Sequence, residues 1–305
     1  MNDFYEKLDS LYDAGDPSAV ESFIIDAVSA AQEGSFERAG LYNELAGLYR
    51  GLNRFAESEE AFFRALDVFE AGGMEVSEGY ATVLVNLAGL YRINGQADKV
   101  VNLYNSAIKK IEDVGASDSY AYISILNNLA LACQEIGEYF RALEYAGKAL
   151  TLMRGGVSDE NEIAASLSNL AVIHLNLGEL DAADQLIAEA LAIYDGMTEP
   201  DVHHAAALTT KAVISCRAGY HYGALDGFRR ALELTRQFFG ENIEFAACKR
   251  NISDVYELLG DIPSAVMELT DAARILESIL GPDHPSFKEA LNKLEILRRT
   301  SRSGQ

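Results

Sequence analysis

The hexapeptide Leu45-Ala46-Gly47-Leu48-Tyr49-Arg50 recurs unchanged 42 residues later as Leu87-Ala88-Gly89-Leu90-Tyr91-Arg92. A fixed period of this length restricts the chain to a repeat architecture, in which each unit buries its apolar face only against its neighbours. The restriction is useful here, because 305 residues would otherwise suggest two separate cores.

The period extends along nearly the whole chain. Six first helices centre on Leu45-Ala46, Leu87-Ala88, Leu129-Ala130, Leu170-Ala171, Lys211-Ala212 and Ile252-Ser253, at offsets of 42, 42, 41, 41 and 41. Eight residues after each leading position stands a residue that tolerates left-handed backbone: Asn53, Gly95, Gly137, Gly178, Gly219 and Gly260. This column closes the first helix of each pair. The second helix then carries its own small column, Ala65, Ala107, Ala149, Ala190, Ala231 and Ala272. Small residues on both helices let the backbones approach. A bulky column of Phe62, Tyr104, Ile187, Phe228 and Leu269, interrupted by Ala146, reads as core at this spacing. Glycines near 72, 115, 155, 196, 240 and 281 end the second helices.

Both ends depart from the pattern. Phe4 to Ala31 reads as a shorter hairpin (residues 3–31), broken at Gly15-Asp16-Pro17, with Asp16 as N-cap and Pro17 in the first helical position. Six repeats occupy about 36–280. A helix over 286–297 is expected to seal the last core, with Lys288, Glu289, Lys293 and Glu295 on its outer face. Residues 298–305 lack apolar periodicity and are expected to be a disordered tail, which leaves one solenoid domain over 1–297.

Charge and cysteine usage narrow the partners. The net charge of −22, from 47 acidic and 25 basic side chains, opposes nucleic acid and anionic lipid, and also favours solubility. Cys133, Cys216 and Cys248 are scattered and form no CxxC pair, as expected of reduced thiols in a cytoplasmic protein. The N-terminus has no signal-peptide pattern, and no apolar run reaches the 18 residues of a membrane span.

The Leu-Ala pair, the tyrosines Tyr49, Tyr91 and Tyr256, the turn glycines and the second-helix alanines together resemble the tetratricopeptide repeat (TPR), over residues 3–297. The 41–42 spacing, Asn127-Asn128-Leu129-Ala130 and Leu280-Gly281-Pro282-Asp283-His284-Pro285 resemble the long subtype of kinesin light chains. The resemblance implies an all-α, right-handed superhelix of about seven antiparallel helix pairs plus a C-terminal capping helix. It also implies a concave groove, lined by the first helices, that binds peptides or partner helices. Three departures stand out. Leu84, Leu126, Leu167 and Leu208 replace the family tryptophan, and the proline that stops the second helix is missing. Lys211 stands in a leucine column, and Cys133, His174 and Ser215 in the tyrosine column, so the fifth and sixth repeats are expected to pack less tightly or to bend away.

If the Leu-Ala pair faces the core, residues at spacings of three and four beside it share the groove face. The stripes are Thr82-Asn86-Gly89-Ile93, Ser124-Asn128-Leu131-Glu135, Ala165-Asn169-Val172-Asn176, Ala206-Thr210-Val213-Arg217 and Ala247-Asn251-Asp254-Leu258. Asn86, Asn128, Asn169, Thr210 and Asn251 form one column, continued by Asn292. Asparagine is a mediocre helix former, so its recurrence in mid-helix asks for a reason. Two readings stay open: a ladder of amides for a peptide backbone, or hydrogen bonds to the neighbouring repeat. Arg50 and Arg92, beside the open positions Gly40, Gly47, Gly51 and Gly89, are candidates to clamp an acidic group of the ligand, or else to pair with Glu44 and nearby acids. The Lys/Asn pattern of the carboxylate-clamp subclass is absent, with Asn43 and Gly47, or Val85 and Gly89, in its place.

No residue set points to catalysis, a cofactor or a metal. His203 and His204 are adjacent and point about 100° apart on a helix, unlike an i, i+4 ligand pair. His174 reads as a core histidine. The expected function is a non-enzymatic scaffold for a protein or peptide, with a bacterial signalling-peptide sensor as the alternative and an accessory subunit of an enzyme as a third. Composition fixes no oligomeric state.

Overall fold

The computed structural model describes residues 2–156, 159–197 and 202–303. Among them are fifteen helices and no strand. Contacts divide the chain into two compact units, Met1–Gly156 and Val157–Gln305.

The first unit holds four helix pairs. They are α1 (Asn2–Asp13) with α2 (Pro17–Ala30), α3 (Phe36–Gly51) with α4 (Phe55–Ala71), α5 (Glu78–Ile93) with α6 (Ala97–Asp113), and α7 (Tyr120–Glu135) with α8 (Tyr139–Gly155). The second unit holds α9 (Glu160–Leu177) with α10 (Leu180–Asp195), α11 (Val202–Arg217) with α12 (His221–Phe239), and α13 (Ile243–Leu258) with α14 (Ile262–Leu280), closed by α15 (Pro285–Ser303). Inside each unit a first helix packs on its own second helix, and that second helix packs on the next first helix. Successive first helices also touch, as α3 and α5 do. This is the helix-pair stacking of a solenoid.

Local chemistry sets the helix ends. Asp16 accepts from the backbone of Ser18 and Ala19, as a cap before Pro17 should. Ser35, Ser77, Ser119, Asp159 and Asn242 cap α3, α5, α7, α9 and α13. The turn column closes the first helices through a Schellman arrangement. Asn53 has φ +59°, and its five glycine counterparts lie between +69° and +86°. The next amide in each case reaches back to the tyrosine column, for example Arg54 N to Tyr49 O at 2.9 Å and Gln96 N to Tyr91 O at 2.9 Å. The turn supplies the start of the second helix directly, so α4, α6, α8, α10 and α12 have no side-chain cap.

The core follows the columns. All six second-helix alanines are fully buried, and Phe62, Tyr104, Ile187, Phe228 and Leu269 lie beside them. Serine enters the closest helix–helix contact twice, once from each side. Ser58 on α4 donates to Ala46 O on α3 at 2.7 Å, whereas Ser253 on α13 donates to Ala265 O on α14 at 2.8 Å. Either helix can supply the hydroxyl, because each buried hydroxyl needs only one facing carbonyl.

Lys211 occupies its leucine column without burying its charge. Its Nζ leaves the core and donates to Asp184 Oδ1 on α10 at 2.5 Å. Two repeats share this geometry with a phenol instead: Tyr49 donates to Glu21 Oε1 at 2.9 Å, and Tyr91 to Glu59. Ser215 cannot reach that far, so the lysine one turn earlier meets the carboxylate. A surface pocket of about 460 Å³ lies beside it, lined by Leu180, Asp184, Lys211 and Ser215 among others.

The closing helix differs from expectation in two respects. Phe287, Ala290, Leu294 and Leu297 bury against Leu269, Ala273 and Leu276, sealing the core. Lys293, assigned to the outer face, instead spans to α13, with Asp254 at 2.6 Å and Glu257 at 3.1 Å. The helix also runs on to Ser303, through residues expected to form a tail. Arg299 pairs with Glu295 one turn back, and basic residues at a helix C-terminus complement its dipole. Residues 304 and 305 lie outside the described residues.

Candidate functional site

The stripes read from helical spacing lie away from the core. Asn86 and Asn128 are half-buried on α5 and α7; Asn169 is exposed on α9, and Asn251 half-buried on α13. Their neighbours Thr82, Ile93, Leu131, Glu135, Asn176, Arg217 and Leu258 are exposed.

Within this face the candidate residues do different things. Asn86 donates from Nδ2 to Asn43 Oδ1 at 2.9 Å, a bond between repeats. Asn128, Asn169 and Asn251 make no side-chain hydrogen bond among the described residues, and their amides are open. Thr210 turns its hydroxyl back to Ala206 O at 3.0 Å on its own helix. Arg217 donates to Leu175 O at 2.9 Å, covering a carbonyl in the last turn of α9.

The two arginines of the repeated hexapeptide are partly engaged. Arg50 Nη1 donates to the backbone carbonyl of Asn86 at 3.3 Å and makes no ion pair with Glu44. Arg92 approaches Glu135 on α7 at 4.0 Å, with both side chains over 40% exposed. An ion pair so exposed contributes roughly 0–1 kcal/mol. Both arginines act on the buried Tyr104: burial raises its phenol, and Arg92 and Arg50 oppose that rise. They therefore share one neighbourhood, and Arg92 holds its acid only weakly.

Sequence reading missed one member of the column. The 42-residue register places Glu44 of α3 under Asn86, flanked by Gly40, Gly47 and Gly51 where α5 has Thr82, Gly89 and Ile93. The register itself carries the signal, which the alternative of pairing Glu44 with the arginines hides. Burial raises the Glu44 carboxyl above its usual range. Its charge in turn helps burial to raise the phenols of Tyr5 and Tyr12 on α1.

Tetratricopeptide-repeat family models match residues 37–113 and 121–196, and again 245–286. The chain belongs to the tetratricopeptide-repeat family. A TPR protein from Parabacteroides merdae shares the fold at TM-score 0.68 and 15% identity, over 96% of this chain and 98% of its own. The nearly identical kinesin-light-chain TPR-like repeats of Podosopora anserina align at TM-score 0.60 and 17% identity, over 68% of this chain and 98% of theirs. A Rap protein complexed with competence and sporulation factor aligns at TM-score 0.58 and 14% identity, over 94% of this chain and 81% of its own. No curated protein sequence matches the chain.

This TPR chain carries no cluster of three His, Cys, Asp or Glu suited to a metal among its described residues. His174 Nδ1 lies 2.6 Å from Glu179, and His204 stacks on Tyr194 with centroids 5.4 Å apart. Burial raises all three thiols, Cys248 up to about 12, which keeps them protonated and unreactive. No described helix is long and apolar enough to cross a membrane.

Proposed function

We propose that the TPR chain is a non-enzymatic scaffold whose exposed first-helix faces bind an extended peptide or a segment of a partner protein in the cytoplasm. The carrying observation is Asn128. It sits in mid-helix, where asparagine costs helix propensity, and its amide has no partner among the described residues. A half-buried amide with two donors and an acceptor suits a peptide backbone. Asn169 and Asn251 offer the same group in the second unit, beside Thr210 and Arg217. An acidic group of the ligand would compete with Glu135 for Arg92 and draw on Arg50. The net charge of −22 argues against nucleic acid and anionic membranes as partners.

The test is affinity capture from the native cell, followed by titration of the captured partner against the parent and Asn128→Ala. A loss of about 1 kcal/mol at unchanged stability is expected. Unchanged affinity at that site sinks the proposal.

A second reading, a sensor of a small signalling peptide, draws on the fold shared with the Rap protein, which is described with competence and sporulation factor bound. Mass spectrometry of the native, undenatured protein separates the two: a peptide of low molecular weight as sole companion favours the sensor.

A further inference from the structure

Four tyrosines of the first unit share one arrangement, a ring beside a carboxylate with a cation over its face. Tyr49 has Glu21 and Arg54, the guanidinium 4.3 Å from the ring centroid. Tyr91 has Glu59 and Lys99 at 4.3 Å, Tyr80 has Glu70 and Lys110 at 5.2 Å, and Tyr122 has Glu112 and Lys148 at 4.8 Å. In two of the four the same cation also meets the carboxylate, Arg54 with Glu21 at 2.7 Å and Lys148 with Glu112 at 3.5 Å.

The hollow between α1 and α3 has the same parts without the cation. Glu44 makes no hydrogen bond or ion pair among the described residues: of the two arginines on α3, each six residues away, Arg38 makes no ion pair with it and Arg50 is committed to the Asn86 carbonyl. Tyr5 and Tyr12 stand seven residues apart on one face of α1, and each feels the Glu44 charge. The two residues are 43% and 46% exposed, so each side chain is open in part to a ligand. Two cavities flank the Glu44 position along α3 without being lined by it: one of about 460 Å³ pairs Tyr5 with Gly40, one turn before it, and one of about 300 Å³ pairs Tyr12 with Gly47 and Gly51, on the turns after it. A Cβ added at Gly40, Gly47 or Gly51 would meet nothing within 4 Å, so these hollows are open at their floor.

We propose that this hollow binds a basic side chain, lysine or arginine, of a peptide lying along the first helices, with Glu44 as counter-ion and Tyr5 and Tyr12 as walls. The idea rests on the groove reading above and adds the chemistry of one anchor residue. Three arguments support it. A carboxylate drawn from water without a cation is costly, and an incoming ammonium or guanidinium removes that cost. The aliphatic stem of either side chain fits along glycine backbone and tyrosine edges while its head meets the acid. The surplus negative charge of the chain also draws cations toward it.

The test uses the full chain with ¹³C-labelled tyrosine rings and four probes: the N-acetyl methylamides of arginine, lysine, norleucine and glutamate. Tyr5 and Tyr12 signals, assigned from Tyr5→Phe and Tyr12→Phe, should move saturably with arginine and lysine alone. Tyr49 and Tyr91, which already hold cations, should stay still. Glu44→Gln should weaken probe binding about tenfold, the loss of one charge-assisted contact. Tyr12→Leu, which keeps the acid, should weaken it as well. Equal shifts from norleucine, shifts that survive Glu44→Gln, or no shift up to tens of millimolar overturn the site. Peptides selected from a random library separate this from the groove reading. Binders that respond to Asn128→Ala but lack basic residues and ignore Glu44→Gln keep the groove and remove the anchor. Basic probes that bind while Asn128→Ala changes nothing keep the anchor and remove the amide ladder.

Discussion

Asn86 Nδ2 donates to Asn43 Oδ1 at 2.9 Å, a bond that joins two successive first helices beside the one from Arg50 to the Asn86 carbonyl. It makes the asparagine column heterogeneous. Asn86→Ala gains a little helix propensity but breaks the bond and strands Asn43. The expected net loss is roughly 0.5–1 kcal/mol in urea unfolding. Asn128→Ala breaks no bond and should be neutral or slightly stabilising. Equal effects in both variants contradict this division.

Much of the fold was legible before any coordinates, because solenoid packing is local. The burial of Ala107 or Phe228 is set by the adjacent helices, and a register of 41–42 residues suffices to place them. What escaped were side chains that act at a distance of one turn. Lys211 read as a misfit in a leucine column because the column fixes only its Cα. Its stem is long enough to bring the ammonium out to Asp184. Lys293 likewise reaches α13 from a face that periodicity calls polar. Glu44 was legible in register and misassigned by charge, since a nearby arginine is the obvious partner until Arg50 is seen bonded to Asn86. The helical continuation to Ser303 carries no apolar period and left nothing to read.

Lys211 and Ser215 together replace one tyrosine. The exposed ion pair Lys211–Asp184 contributes only about 0–1 kcal/mol, and the cavity beside it goes unfilled. The double variant Lys211→Leu with Ser215→Tyr restores the phenol–carboxylate pair found at Tyr91 and Glu59. It should stabilise the second unit by roughly 0.5–2 kcal/mol in thermal unfolding. A lower melting temperature means that the ring cannot enter.

Ala130 is buried on α7, the helix that packs on α8. Ala130→Arg overpacks that contact and buries a charge, each costing about 1–3 kcal/mol or more. Neighbouring repeats supply each other's core, so helical circular dichroism should show several pairs of the first unit melting early and together. A parent-like melt refutes the column assignment.

Glu21 gives the first unit a pH dependence. Hydrogen bonds from Arg54 lower its carboxyl most, burial opposes them, and Tyr49 assists. A lowered folded pKa means stability that is present above the unfolded carboxylate range and lost as pH falls through the folded value. Glu21→Gln should therefore lower the melting temperature at pH 7, and the difference should shrink as the medium is made more acidic than about pH 4. A pH-independent difference assigns the effect to packing instead.

Glu44 has the opposite sign. Burial alone raises its carboxyl, and no ion pair reaches it from Lys7 of α1, which also presents Tyr5 and Tyr12, or from Arg38 and Arg50 of its own helix, Arg50 being bonded elsewhere. Stability tied to a raised carboxyl is fully present below the unfolded pKa and lost as pH rises through the folded one. Near neutral pH the ionised Glu44 is thus a net cost to folding. Glu44→Gln keeps the shape and removes the charge, so it should raise the melting temperature at pH 7 and leave it nearly unchanged at pH 3.5 to 4. A residue retained against stability in this way fits a ligand-binding role better than a structural one. Thermal scans of parent and variant across that pH range decide the sign. A variant less stable at pH 7 means that Glu44 has found a partner and the hollow needs no cation.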